Sequence, residues 1–213
     1  MDVKLPKAMS EKLAEEIGLH IGDGSMGIYQ NGGIYSLRGN KISDRTFYEG
    51  YIKNLYKQVY KIDVVLREWD DVIGFQICSK PLVKYKHECF RLPMGPKGNI
   101  GIPKVLMKDE KLSIACIRGI FDTDGNFYLE KKKGKLYPRI HICTTSKRLA
   151  NQIKRLIKLL GFSSFSMWTT KNKNWRVCYR MCIRGYKNCL LWYKVIGSSH
   201  PKHIQEFERL FKS

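Results

Sequence analysis

The stretches EIGLHIGDGSMGIY (residues 16–29) and IRGIFDTDGNFYL (residues 117–129) each run an apolar, glycine-bearing segment into a carboxylate followed by glycine. Asp23-Gly24 in the first corresponds to Asp124-Gly125 in the second, 101 residues on, and Gly18 corresponds to Gly119. A single Asp-Gly is an ordinary end to a helix. Two copies in register ask for more. Gly18, Gly22, Gly119 and Thr123 recur at four-residue spacing, which makes one small-residue face on each of two helices and lets the backbones approach closely. Helices joined along that face set Asp23 and Asp124 side by side. Carboxylates forced together repel and raise each other's pKa unless a cation lies between them. Oxygen ligands with water suit Mg²⁺, and acidic side chains, Mg²⁺ and basic surroundings together suit phosphodiester hydrolysis.

The elements that must position these groups repeat as well. A serine precedes a long amphipathic segment in each half, SDRTFYEGYIKNLYKQVY from Ser43 and SKRLANQIKRLIKLLG from Ser146, and serine is a good N-cap. Between motif and helix lie alternating segments joined by Gly-containing turns, SMGIYQ with IYSLRG and NFYLEK with YPRIHICT, which read as hairpins. A second strand pair follows each helix: VVLREW with VIGFQIC, then SSFSMWTT with NWRVCYRMCI. The chain therefore reads as an α+β protein of two αββαββα units, residues 1–95 and 110–213, related by a pseudo-twofold axis and joined by a Gly/Pro-rich linker over 96–109.

Charge narrows the partners. The chain has 213 residues, 39 Lys and Arg against 19 Asp and Glu, and a formal net charge of +20. Residues 1–102 hold 15 basic and 12 acidic side chains, and residues 103–213 hold 24 and 7. Such a field favours nucleic acid over an acidic small substrate, with most of the attraction in the second half. The seven cysteines are odd in number and sit mostly in apolar runs, which reads as reduced thiols in a cytoplasmic setting. No paired zinc spacing accompanies Cys178 and Cys182 or His200 and His203. No segment has the length of apolar chain that a membrane span requires.

At the residues EIGLHIGDG and IRGIFDTDG the chain resembles the LAGLIDADG homing endonucleases, in particular single-chain, two-motif, archaeal-like members. The resemblance covers nearly the whole chain. It departs in the first copy, where His20 and Ile21 stand in place of the Ile and Asp of the motif's name; the second copy keeps an acid there, Asp122, expected at the helix end. The resemblance implies paired antiparallel sheets forming a DNA-binding saddle, with the motif helices at the central interface. It implies Asp23 and Asp124 as catalytic metal ligands, with the backbone carbonyls of Gly22 and Thr123, and Lys97 and Lys202 as lysines near the active sites. Mg²⁺ or Mn²⁺ is the cofactor it implies, with no organic cofactor.

On that fold, strand alternation assigns the side chains that face DNA. In YPRIHICT, Ile140 and Ile142 face the helices, leaving Tyr137, Arg139 and His141 outward; in the last strand, Val177, Tyr179, Met181 and Ile183 face the core, leaving Arg176, Arg180 and Arg184 outward. The first half offers Tyr29, Ser36, Arg38 and Gln76. Lys132, Lys133 and Lys135 at one hairpin tip, and Lys171 and Lys173 in the turn KNKN, are placed to grip phosphates. The function this implies is that of a monomeric, intron-encoded endonuclease cutting both strands of duplex DNA across the minor groove, at a long and weakly palindromic site, with a staggered break. The alternatives are an RNA maturase that binds intron RNA, or a regulator that binds DNA without cutting. A basic ribosome-associated protein fits the charge and leaves the paired motifs unexplained.

Overall fold

A computed structural model of the chain describes residues 3–30, 32–171 and 176–211. Two helices carry the repeated motif, α1 (Glu11–Asp23) and α4 (Glu110–Asp124). Ser10 caps the first, its hydroxyl accepting from the Leu13 N–H at 3.2 Å. Asp109 caps the second, accepting from the Leu112 N–H at 3.0 Å. Both helices stop where Gly24 and Gly125 turn extended, with φ −74° and −107°. The reason for glycine there is space rather than handedness. A Cβ on Gly24 would lie 2.6 Å from His20 Cα, and one on Gly125 would run into the Phe121 ring.

Each motif strand opens an antiparallel four-stranded sheet. The first contains β1 (Gly24–Tyr29), β2 (Gly32–Asn40), β3 (Arg67–Trp69) and β4 (Val72–Cys78) in the order β1-β2-β4-β3. The second contains β5 (Gly125–Lys132), β6 (Lys135–Thr144), β7 (Phe165–Thr170) and β8 (Cys178–Arg184), ordered β5-β6-β8-β7. The tip of the β5–β6 hairpin is Lys133-Gly134, both with positive φ (48° and 76°), the turn geometry that matches strand twist. Helices cover one face of each sheet: α2 (Lys53–Tyr60) and α3 (Lys80–Phe90) in the first half, α5 (Lys147–Leu159), α6 (Tyr186–Val195) and α7 (Pro201–Phe211) in the second.

Three local expectations differ from the structure. Ser146 caps α5 through the Leu149 N–H at 3.2 Å, but Ser43 caps nothing. Its hydroxyl is taken by Asp44 at 2.7 Å, and the chain passes through a π-helical stretch, Phe47–Ile52, before α2. The third strand is three residues long, because Val64 turns into the core ahead of it. The second half ends in two helices rather than one, since Gly197 (φ +67°) and Pro201 break the run.

The two halves meet through α1 and α4. A Cβ on Gly18 would overlap the Cys116 carbonyl oxygen and lie 3.1 Å from Gly119 Cα, and a Cβ on Gly119 would overlap the Glu15 carbonyl. The obstacle in each case is backbone, which cannot rotate aside. Gly18→Val is therefore expected to cost about 3 kcal/mol or more, at or beyond the upper end for overpacking. Gly50→Ala, at a position with nothing within 4 Å, should be neutral or stabilise by up to about 1 kcal/mol. Urea unfolding of the two variants beside the parent checks the contrast; equal behaviour would refute the close contact.

Candidate active site at the paired helix ends

The contact between α1 and α4 continues to their last turns, where a Cβ on Gly22 would lie 2.6 Å from Thr123 Cβ and 3.5 Å from Asp124 Cγ. Thr123 folds its hydroxyl back on the Gly119 and Ile120 carbonyls at 3.0 and 3.1 Å. That leaves Asp23 and Asp124, both half-buried, at two adjoining helix C-termini. Unpaired carbonyls give such ends partial negative charge, so the carboxylates meet an unfavourable field before they meet each other. Burial raises Asp23 most, with Asp124 adding to it, and its pKa is pushed up to about 7. Asp124 is raised to about 6, chiefly by burial, with Lys97 opposing.

Lys97 is the cation brought to this place. It sits in the loop after α3, where the Gly95 N–H bonds the Met26 carbonyl at 3.1 Å and the Ile100 N–H bonds the Lys97 carbonyl at 3.1 Å. Its Nζ donates to the carbonyls of Ile21 at 3.2 Å, His20 at 3.5 Å and Gly22. Burial lowers its pKa, and Asp124 and Asp23 oppose that shift. With Asp124 and Gly22 it lines an open cleft of about 300 Å³ that continues to Thr144, Cys143 and Cys178 on the second sheet.

Lys202 is placed differently. It is exposed in the first turn of α7, and its charge acts on His203 and Glu206 rather than on either aspartate. Asp122 is buried, accepting from the Ser199 N–H at 2.8 Å and from the Ser198 hydroxyl, and burial raises its pKa to about 7. It holds the 198–199 turn against α4. The corresponding motif position in the first copy is Ile21; its neighbour His20 is fully buried against Tyr35 with centroids 5.5 Å apart, and neither ring nitrogen has a hydrogen-bond partner among the described residues. Burial and the charges of Lys86 and Lys97 hold it neutral.

Two neighbours escaped the sequence reading. Asp44 also raises the Asp23 pKa, and its Oδ1 lies 3.3 Å from His200 Nε2. The His200 Nδ1 accepts from the Lys202 N–H at 3.2 Å, so the ring proton sits on Nε2 and is donated to Asp44. This bond joins residues 156 positions apart, and no local pattern marks it.

On the sheets, register puts Arg139, His141 and Cys143 opposite Arg184, Cys182 and Arg180, with Ile140 and Ile142 toward the helices opposite Ile183 and Met181. Tyr137 and Arg184 are exposed, as are Lys132, Lys133 and Lys135 at the hairpin tip, Lys171 and Arg176. Arg139 is bound to Glu130 at 2.5 and 3.0 Å, and Arg180 donates to Thr170 at 3.1 Å. In the first sheet Tyr29, Arg38 and Gln76 are exposed, with Arg38 over the Trp69 ring at 4.7 Å. Ser36 shares that face but is only 6% exposed, its hydroxyl 2.8 Å from Ser25 Oγ in the middle of the sheet. Lys173 lies outside the described residues.

Residues 111–197 match the family model described as a LAGLIDADG-like domain. The fold around those residues is that of the homing endonuclease I-DmoI, solved in complex with DNA and Mn: TM-score 0.64 at 18% identity, covering 89% of this chain and 98% of that one. Among curated proteins, the glutamine–fructose-6-phosphate aminotransferase of Methanocaldococcus jannaschii is 26% identical over 211 residues, which is 98% of this chain and 18% of that protein. An uncharacterized protein of the same organism is 26% identical over 175 residues, 80% of this chain and 62% of that protein. The chain thus spans less than two thirds of the length of either relative. No helix among the described residues is long and apolar enough to cross a membrane.

The raised carboxyls at the ends of α1 and α4 set a pH dependence. Their folded-state pKa values exceed the ordinary one, so their contribution to stability is whole below about pH 4 and is lost as pH rises through about 6 to 7. In metal-free buffer Asp23→Asn should be more stable than the parent at pH 8, by on the order of 2 kcal/mol, and equal to it near pH 4. A difference independent of pH in urea titrations would contradict the assignment.

Proposed function

We propose that this protein is a metal-dependent DNA endonuclease, cutting both strands of duplex DNA at a long, weakly palindromic site and leaving a staggered break. One observation carries the reading: two acidic helix ends are held together against their own repulsion, beside a buried lysine. A structure that only had to be stable would lose that cost by replacing either aspartate with asparagine. The donor set is anionic, all oxygen and electronegative from two helix termini, which fits a hard divalent cation such as Mg²⁺ or Mn²⁺. Asp23 and Asp124 would hold it, with the carbonyls of Gly22 and Thr123 nearest in the chain. Bound there, it supplies Lewis-acid polarisation of a phosphodiester.

The chain's own groups do the rest of the work. Lys97 places a buried positive charge on the Asp124 side of the cleft, where negative charge builds on phosphate during hydrolysis. Asp44, held by His200, adds a third carboxylate near Asp23, so the surroundings of the two aspartates differ and the two strands need not be cut at equal rates. Tyr29, Arg38, Gln76, Tyr137, His141 and Arg184 face DNA from the sheets, and the lysines of the β5–β6 tip grip phosphates.

A cleavage selection on a randomised duplex library with Mg²⁺ tests the reading. The parent is expected to give discrete double-strand breaks; Asp23→Asn and Asp124→Asn should each lower cleavage by about a hundredfold or more while retaining DNA binding. Absence of breaks with intact, salt-sensitive binding would show a non-cleaving nucleic-acid binder instead.

A further inference from the structure

The second sheet has a cationic surface on the side away from its outward strand face. α5 buries Leu149, Ile153 and Ile157 beneath it and turns Arg148, Arg155 and Lys158 to solvent. It carries five basic and no acidic residues. Beside it, the short turn Leu106–Lys108 and the segment leading into it present Lys104 and Lys108, and the two elements enclose an open groove of about 670 Å³.

None of the cations along this groove is in an ion pair among the described residues. The nearby Asp109 carboxylate is occupied in capping α4. Like charges at helical spacing repel, and no ion pair among the described residues offsets them. The fold does not demand such a row. In the first half the corresponding helical stretch, residues 47–60, mixes Glu49 with Lys53 and Lys57; Lys57 pairs with Asp63 at 3.1 Å and Glu49 with Arg45 at 3.2 Å. The unpaired row is thus a property of this helix, and its complement is a regularly spaced polyanion. From Lys147 to Lys158 it runs roughly 16 Å, long enough to follow several phosphates of one strand.

We propose that the exposed face of α5, with Lys104 and Lys108, binds a second segment of duplex DNA while a first lies against the sheets. It rests on the proposed function only for that first segment. Because the two surfaces are on opposite sides of the second sheet, one protein could hold both segments, and a segment captured on α5 would be positioned for transfer to the saddle.

The test uses the full chain and two duplexes of unrelated sequence, one immobilised and one fluorescent, at low salt without Mg²⁺. The parent should co-capture the fluorescent duplex, and light scattering should give one protein for two duplexes. The double variant Arg148→Gln/Arg155→Gln should lower co-capture on the order of tenfold while affinity for a single duplex changes less than about twofold. Arg180→Gln/Arg184→Gln should weaken single-duplex binding itself. Undiminished co-capture by the α5 variant, two proteins in the bridged complex, or displacement of the second duplex by an equimolar single-stranded RNA would overturn the proposal. If the sheet variant bound normally and the α5 variant lost all binding, the saddle reading would fail while α5 remained a DNA surface. Thermal melting of both variants confirms that they fold.

Discussion

The backbone contact between α1 and α4 governs everything else in this molecule, because it joins the halves and also creates the chemistry at their shared end. Gly18 and Gly119 bring main chain against main chain, and Gly22 against Thr123 carries the approach to the final turn. Larger residues would part the helices and separate the two carboxylates. Closeness that benefits packing at one end of the interface becomes electrostatic cost at the other, where Asp23 and Asp124 share a site with two helix C-termini. Local instability of this kind is characteristic of a functional site and is offset by the surrounding core.

The halves share strand order and differ in how they fill their interiors. In the first, Glu16 on α1 is fully buried, held by Lys86 at 2.6 Å and by the hydroxyls of Tyr56 and Tyr60 at 2.6 and 2.8 Å. Lys86 also lies over the Tyr35 ring at 4.6 Å. At the corresponding motif position α4 carries Ile117, and Phe121 packs on Trp192, Phe207 and His203. A buried ion pair costs desolvation and stabilises only when every donor and acceptor is used, as those of Glu16 are here. Such a cluster accepts few alternative arrangements, so it ties α3 to α1 in one register and thereby aims the loop that delivers Lys97.

Charge is divided between the halves as well. The excess of basic residues in the second half covers both sides of its sheet, whereas the first half balances its lysines and arginines with Glu49, Asp63 and Glu68. Positive charge is therefore concentrated in one half, and the other is nearly neutral.

Much of the fold was determined by local and repeated features of the sequence. The two Asp-Gly motifs, the small-residue spacing, the Lys133-Gly134 hairpin and the Ser146 cap are each set by neighbours a few residues away, so their chemistry is legible in a line of text. Alternation separated Ile140 and Ile142 from Arg139 and His141 for the same reason. Tertiary structure decided what depends on long loops and distant partners. Lys97 and Lys202 occupy similar places in their repeats, yet a tether from Gly95 to Met26 carries the first to the carboxylates, while the break at Gly197 and Pro201 starts a new helix that leaves the second in solvent. Ser43 lost its cap to Asn40 and Asp44, and Asp44 meets both the charge of Asp23 and the ring of His200. Contacts across so many residues have no periodic signature; they exist only once the two helices have closed the halves together.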